Sequence, residues 1–433
     1  MRLRNLLDTL RSDLRPGTRR SELVRSAGMV TGLKIIGGLL AFVASLLYAR
    51  ALGPHGYGLY SYVIAWTTVL AIPVALGLPQ YLVREATKFP LALHHLSQWA
   101  DRWMIASGSV AALLLAAAAL IPSAAGARWL FVVAAPLPML MGIASVRSSL
   151  LQARGAMARS QWPRLVLAPF LTITALAGLW WWRGSLRPIE LMVATTLATM
   201  LCLLVNSYQL RRISPASTDA HAPDLRLRDA LPFMWVAGLF LLNSRIDLIM
   251  LGSLKGAYEA GIYAVASRVA ELTSFLMATA NMVLAPKIAH LHHDGQHALL
   301  QRMVRGAMRR VLLASIPIAL ILILGARPLL THFYGVRYAD GAIVLQILAA
   351  SQILIVGSGP LGTLLNMTGH VNAITRNMLL AVAINVILNI VLIPLYGATG
   401  AATATGISLV FSRILLWHQV RVILGPRTPG LGT

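Results

Sequence analysis

The sequence predicts an all-α polytopic membrane protein of about twelve transmembrane helices in two six-helix halves. Three observations carry that expectation. Only 12% of the 433 residues are charged and 57% are hydrophobic, with a mean hydropathy of +0.71, where a soluble chain would carry roughly a quarter charged residues. The apolar residues come in runs of roughly 18 to 25, the length a helix needs to cross about 30 Å of hydrocarbon. A short glycine-rich motif also recurs in the same orientation half a chain later. Membrane β-strands would show shorter, alternating segments instead.

The net charge of +23 does not point to nucleic acid, because the basic residues recur in alternate loops between apolar runs, as the positive-inside rule requires. With the N-terminus in the cytoplasm, about 27 of the 37 Lys and Arg residues fall in cytoplasmic segments and about 7 in outer turns. Three, Arg245, Arg268 and Arg413, fall inside spans. Reversing the topology inverts that ratio, so both termini are expected to be cytoplasmic. The one cysteine, Cys202, lies inside an apolar run, which excludes a disulfide framework or a thiolate metal site.

Taken in order, residues 1–27 are a basic segment with interleaved Leu, suited to lie on anionic lipid. Thr18 to Leu23 faintly resembles a twin-arginine address, but the apolar run behind it is long enough to span and many more follow. Spans are expected at about 28–50, 57–80, 103–121, 129–150, 163–182, 189–210, 231–252, 258–284, 308–326, 341–365, 375–395 and 398–420. The polar stretch 211–228 divides a first lobe, 28–210, from a second, 229–421, and 422–433 is a cytoplasmic tail. Trp180, Trp181 and Trp182 sit at an outer span end, and Trp99 and Trp103 at an inner one, which are interfacial-belt positions. The segment Lys287 to Arg310 holds His290, His292, His293 and His297. It reads as a solvated amphipathic linker in preference to a metal site. Pro73, Pro136, Pro138, Pro317 and the Gly357–Pro360 stretch are expected to break or kink their spans.

The repeat consists of Gly53-x-x-x-x-Gly58-Leu59-Tyr60 opening the second span and Gly256-x-x-x-x-Gly261-Ile262-Tyr263 opening the eighth, 203 residues later. An even number of spans separates the copies, so they share an orientation. That is the parallel kind of transporter repeat, related by an axis along the membrane normal.

The stretches Tyr48 to Tyr60 and Leu76 to Glu85, with Asn243 to Gly252 and Gly261 to Arg268 in the second half, resemble the polysaccharide-export flippases. These belong to the multidrug/oligosaccharidyl-lipid/polysaccharide exporter superfamily. The resemblance implies two six-helix lobes around a central cavity, alternating access, and a polyprenyl-diphosphate-linked oligosaccharide as substrate. It implies a bacterial inner membrane, no cofactor beyond Na⁺ or H⁺ as a coupling ion, and polysaccharide polymerase machinery as a partner.

Charges at membrane depth are expensive, and either mark a functional site or form a neutral network that locks two helices together. Arg245 and Asp247 lie in the seventh span, Arg268 and Glu271 in the eighth. Arg donates a planar fork suited to phosphate, so Arg245 and Arg268 are mid-depth substrate candidates. Lys34, Arg84, Arg147 and Arg376 are further candidates nearer the cytoplasmic mouth, though interfacial anchoring is their plainer role. Arg268 and Glu271, three apart on a helix, can pair directly. That leaves Arg245 as the freer phosphate ligand. Asn385 and Asn389 share a face of the eleventh span, and Thr403, Thr405 and Ser408 lie early in the twelfth. With Asp247 at similar depth, these oxygens suit a cation, and the resemblance places a coupling cation among these spans.

Two rival readings stay open at this point. A cation-coupled multidrug exporter of the same fold differs in substrate alone. A membrane polymerase or ligase needs a large extracytoplasmic loop, whereas here the outer turns are short and only Glu190, Glu259 and Asp340 are acidic in them. No P-loop pattern is present, so no ATP hydrolysis is expected.

Overall fold

The computed structural model describes residues 19–120, 126–213 and 225–424. The basic segment before residue 19, residues 214–224 of the linker and the tail beyond 424 lie outside the described residues. Described residues form helices joined by short turns, with no strand among them. In chain order the helices are α1 (Arg19–Ala75), α2 (Leu78–Lys88), α3 (Leu93–Ala118), α4 (Arg128–Ala134), α5 (Leu137–Ala153), α6 (Met157–Trp162), α7 (Ala168–Arg183) and α8 (Pro188–Ile213). The second half follows as α9 (Leu231–Leu254), α10 (Ala257–His293), α11 (His297–Leu324), α12 (Ala326–Leu329), α13 (Ala342–Gly357), α14 (Leu361–Met367) and α15 (Val371–Leu424).

Nine helical runs are long and apolar enough to cross a membrane, and a tenth, within α10, passes as a pair bent by 41°. Two of the nine, Gly28–Lys88 with 61 residues and Val371–Val422 with 52, are far longer than the roughly 20 residues of one crossing. Each folds back on itself at a glycine. The α1 backbone leaves the helix at Gly53 (φ 66, ψ 175), and the rings of Tyr48 and Tyr60 on either side come within 6.4 Å, against about 18 Å along a straight helix. The α15 backbone leaves it at Gly397 (φ 56, ψ −132), and Asn385 Nδ2 donates to Ser408 Oγ at 3.2 Å across the bend. Counting these two runs twice gives twelve crossings among the described residues.

The expected breaks appear in part. Chain direction changes at Leu76–Gly77, where both φ values are positive (49 and 72), and at Ser358–Pro360 between α13 and α14, whereas at Pro136 the helix is interrupted between α4 and α5 with the backbone still helical, and Arg128–Ala153 remains one span. Pro317 does not break its span, for α11 runs through it, as membrane helices permit when neighbours re-satisfy the freed carbonyl. The Lys287–Arg310 segment is not a linker. It is the end of α10 and the start of α11, joined by Asp294 to Gln296. Its apolar residues Ile288, Leu300 and Val304 pack with Leu361, Leu365, Leu416 and Val420, while Lys287, Asp294, Arg302 and Arg305 on the other side are exposed, so the stretch is amphipathic as expected but helical.

The lobes share one core at one end and keep separate cores at the other, where the start of α9 meets the first lobe at Gly77. We call the end carrying both described chain ends the terminal face, and its opposite the far face. Near the far face one core runs through both lobes, with Ala44, Ala49 and Tyr57 of α1 packed with Leu251, Ala260, Ile262, Leu345 and Ala398 of the second half. At the terminal face there are two cores. One belongs to the first lobe, around Leu82, Leu96, Val146 and Leu150, and only Ala230 and Phe233 reach it from the second. The other belongs wholly to the second lobe, around Ile288 and Leu365. A cavity between the lobes is therefore closed at the far face and extends from there toward the terminal face. On the periphery, large apolar side chains such as Leu113, Leu324 and Trp181 are exposed, and hydrocarbon is the medium that makes that favourable.

Candidate functional site

The inter-lobe cavity has a volume of about 670 Å³. Its walls come from both arms of α1, from α9, α10 and α13, and from the second arm of α15. Tyr48, Tyr57 and Tyr60 cap the closed end. Hydrogen bonds hold this cap: Tyr48 with Thr172, and Tyr60 with Thr195 at 3.1 Å. The far-face closure above it is tied by Tyr338 Oη donating to the Ala49 carbonyl at 2.9 Å and by Tyr62 with Ser253 at 3.0 Å.

Three arginines line the cavity: Arg245 on α9, Arg268 on α10 and Arg413 on α15. Arg268 Nη1 donates to Glu271 Oε2 at 2.9 Å, with both side chains substantially exposed to the cavity. Arg245 has no carboxylate within ion-pair distance among the described residues, and its Nε is buried without a hydrogen-bond partner. Arg413 likewise makes no ion pair among the described residues. Helix geometry sets their depths. Thr405 bonds to Asp247, so the two are level. Arg413, eight residues farther along α15, lies about 12 Å nearer the terminal face, and Arg245 only about 3 Å nearer. With Arg268 between them, the cations form a ladder up one wall. Asn243, Gln352 and Asn281 add polar groups to the lining.

Asp247 is only 5% exposed and makes no ion pair among the described residues. Its carboxylate accepts from Asn389 Nδ2 at 2.7 Å, Thr405 Oγ1 at 2.8 Å and Tyr263 Oη at 3.1 Å. Asn389 Nδ2 also donates to Asn385 Oδ1 at 2.6 Å, and Asn385 Nδ2 to Ser408 Oγ at 3.2 Å. The Asn389 Oδ1 is buried and has no partner. A buried carboxylate surrounded by neutral oxygens and amides, with one acceptor left over, is a hard oxygen-donor set. Among the described residues no three His, Cys, Asp or Glu converge. His290 of the His-rich stretch pairs with Asp294 at 2.8 Å.

The structure sorts the remaining candidates. It brings Asp247, Asn385 and Asn389 together but not Thr403. Thr403 Oγ1 donates to its own helix at the Thr399 carbonyl, 2.8 Å away, while Thr405 takes the place beside Asp247. Two residues along a helix turn about 200°, so the two threonines cannot share a face. Arg84 does not line the cavity. It pairs with Glu85 at 3.0 Å and lies over the rings of Tyr81 and Phe233 at the terminal face. Arg147 does not line it either, but pairs with Asp101 at 2.5 Å inside the first lobe. Lys34 is likewise not among the lining residues. Arg413, which lies inside a span with no role evident from sequence, is also a lining residue. Its signal was its depth in a span.

The profile of the polysaccharide biosynthesis protein family matches residues 23–292, more than half of the chain. The chain belongs to that family. The MatE profile matches residues 232–391, overlapping it in the second lobe. Among relatives, the capsular polysaccharide biosynthesis protein CapF of Staphylococcus aureus is 27% identical over 189 residues, covering 43% of this chain and 48% of CapF. The probable low-salt glycan biosynthesis flippase Agl15 of Haloferax volcanii is 23% identical over 177 residues, covering 41% of this chain and 38% of Agl15. The chain thus matches less than half the length of these relatives. Among solved structures, an inward-facing multidrug-resistance transporter of the MATE family is 16% identical with a TM-score of 0.67, covering 92% of this chain and 97% of that one. The lipid II flippase MurJ in an inward-closed conformation is 14% identical with a TM-score of 0.67, covering 90% and 87%. At these identities the similarity establishes a shared fold.

Proposed function

We propose that this family member flips a polyprenyl-diphosphate-linked oligosaccharide, or a related polysaccharide precursor, from the cytoplasmic to the outer leaflet of a bacterial inner membrane. The observation that carries this is the pair of cavity cations, Arg245 and Arg413, that have no carboxylate partner among the described residues. A diphosphate is the part of such a lipid that hydrocarbon rejects most strongly. Guanidinium forks in a cavity partly shielded from water bind it while the polyprenyl tail stays in lipid. The names of CapF and Agl15 place relatives in polysaccharide and glycan biosynthesis. A lipophilic cationic drug would meet repulsion from the same arginines, which disfavours the multidrug reading.

In this reading the terminal face is cytoplasmic, in accord with the basic residues there, and the cavity faces the leaflet where the substrate is made. Asp247, with Asn385, Asn389, Thr405 and Ser408, binds the coupling cation, Na⁺ or H⁺. Rotating the Asn389 amide would present its unpartnered Oδ1 beside the carboxylate and complete an oxygen cage. The chain acts as a transporter and not as an enzyme, and hands its cargo to polysaccharide polymerase machinery. The test is reconstitution in proteoliposomes with a labelled polyprenyl-diphosphate-oligosaccharide. Protein-dependent appearance of the label in the opposite leaflet, reduced in the double variant Arg245→Ala/Arg413→Ala, is expected. Efflux of cationic dye without lipid-linked sugar transport would overturn the proposal.

A further inference from the structure

A second cavity, of about 290 Å³, lies inside the first lobe between α3, α5 and the end of α8. It is separate from the inter-lobe path, since its lining residues lie on α3, α5 and α8 and none of them lines the inter-lobe cavity. At its floor Arg147 Nη2 donates to Asp101 Oδ2 at 2.5 Å, with the side chains 14% and 25% exposed. The pair is incomplete. Arg147 Nη1 and Asp101 Oδ1 are both buried and both lack a hydrogen-bond partner among the described residues. One orphan is a donor and the other an acceptor, so a single group that accepts from the first and donates to the second satisfies both. A hydroxyl has that capacity. The walls and rim carry Ser207, His94, Gln98 and Arg211. With Arg147 neutralised by Asp101, Arg211 leaves the site with one net positive charge.

Both groups lie at headgroup level. Arg211 follows the sixth span near the end of α8, at the terminal face. Asp101 lies between Trp99 and Trp103, at the inner start of the third span. The pocket therefore offers a guanidinium and a hydroxyl-seeking pair side by side at the depth of a membrane headgroup.

We infer that this first-lobe pocket binds a hydroxylated phosphate ester, with its phosphate on Arg211 and its hydroxyl group between Arg147 and Asp101. Two sources supply that chemistry: a glycerol-type lipid headgroup and a soluble glycerol or sugar phosphate. Ethanolamine headgroups lack the hydroxyl and bring to the pair an ammonium, which donates only and cannot accept from Arg147 Nη1. Inorganic phosphate lacks the part that reaches the floor.

The experiment is native mass spectrometry and thermal stabilisation of the purified full chain with phosphatidylglycerol, phosphatidylethanolamine, glycerol 3-phosphate or inorganic phosphate. Because Arg147 variants could fail to fold, the variants are Arg211→Gln at the rim and Ser207→Leu, which fills the pocket. The expected result is that phosphatidylglycerol, or glycerol 3-phosphate, binds at least fivefold more tightly than phosphatidylethanolamine and inorganic phosphate. Both variants should remove that preference while keeping the ligand-free melting temperature. Retention of phosphatidylglycerol alone assigns a lipid, and of glycerol 3-phosphate alone a soluble ester. Equal binding of all four, or a preference untouched by both variants, would overturn the inference and leave Arg147–Asp101 as a hydrated ion pair. The readout is independent of flipping, so it stands or falls apart from the transport proposal.

Discussion

Gly58 and Gly261 face each other backbone to backbone across the two lobes. A Cβ on Gly58 would run into the Ala257 carbonyl and the Gly261 amide, and one on Gly261 into the Pro54 carbonyl and the Gly58 amide. The contact is reciprocal because the residues are repeat partners: Pro54 and Gly58 in the first copy correspond to Ala257 and Gly261 in the second. The motif that revealed the repeat is thus also the surface on which the two copies meet. Close approach of two helices needs residues without side chains at the crossing.

Substituting either glycine should open that contact. In a Cys202→Ala background, Ala44→Cys reports on it, because Ala44 is 4% exposed and sits in the core shared by the lobes. Gly58→Ala or Gly261→Ala should raise labelling of that cysteine by a membrane-impermeant maleimide from the far face several-fold. Transport should fall, as the closed-far-face state becomes costly. Unchanged labelling would show that the lobes accommodate the methyl without parting.

Arg245→Ala and Arg413→Ala should each lower transport of a diphosphate-linked substrate on the order of tenfold or more, the range expected when a hydrogen bond to a charged group worth about 1.5–3 kcal/mol is lost. Arg268→Ala paired with Glu271→Ala should do less, since a solvent-exposed pair contributes about 0–1 kcal/mol. Initial rates in proteoliposomes distinguish the two outcomes. A larger loss for the Arg268/Glu271 double variant would shift the phosphate site to that pair.

Asp247→Asn should abolish dependence on the coupling cation while the fold persists. Wild-type melting temperature in detergent should rise with Na⁺ or shift with pH, and the variant should show neither response. The variant also turns an amide NH₂ toward donors that now reach a carboxylate, and an unsatisfied buried group of this kind costs about 1–3 kcal/mol. A lower baseline melting temperature is therefore expected alongside the lost ion response.

Thr405→Val and Thr403→Val separate the two faces of the last crossing. The first removes a hydrogen bond to Asp247 at 2.8 Å, the second only a bond to its own helix. Thr405→Val should cost about 1 kcal/mol and weaken cation stimulation, and Thr403→Val should change neither. Comparable effects would mean that Thr403 reaches the carboxylate in another transport state.

Much of this molecule could be read from one dimension. Long apolar runs have one solution in hydrocarbon, a helix whose backbone bonds close within the segment. Run length therefore determined the twelve crossings, and the Gly53 and Gly256 motifs determined the repeat. The pairing of Arg268 with Glu271 follows from their spacing of three. The depth of Asp247 against Asn385 and Asn389 follows from counting along antiparallel helices. What needed the tertiary structure was the direction each side chain faces. A residue's depth is a sum along its own helix, but its partner depends on how that helix is rotated against its neighbours, and hydropathy is silent on rotation when a helix is apolar nearly all round. Hence Thr405 and not Thr403 meets Asp247, Arg413 enters the cavity, and Arg147, at a depth suited to the cavity mouth, turns into the first lobe to hold Asp101. Chain order alone also cannot say which end of a two-lobe molecule is closed. That is decided where the cores merge, at the Gly58–Gly261 crossing.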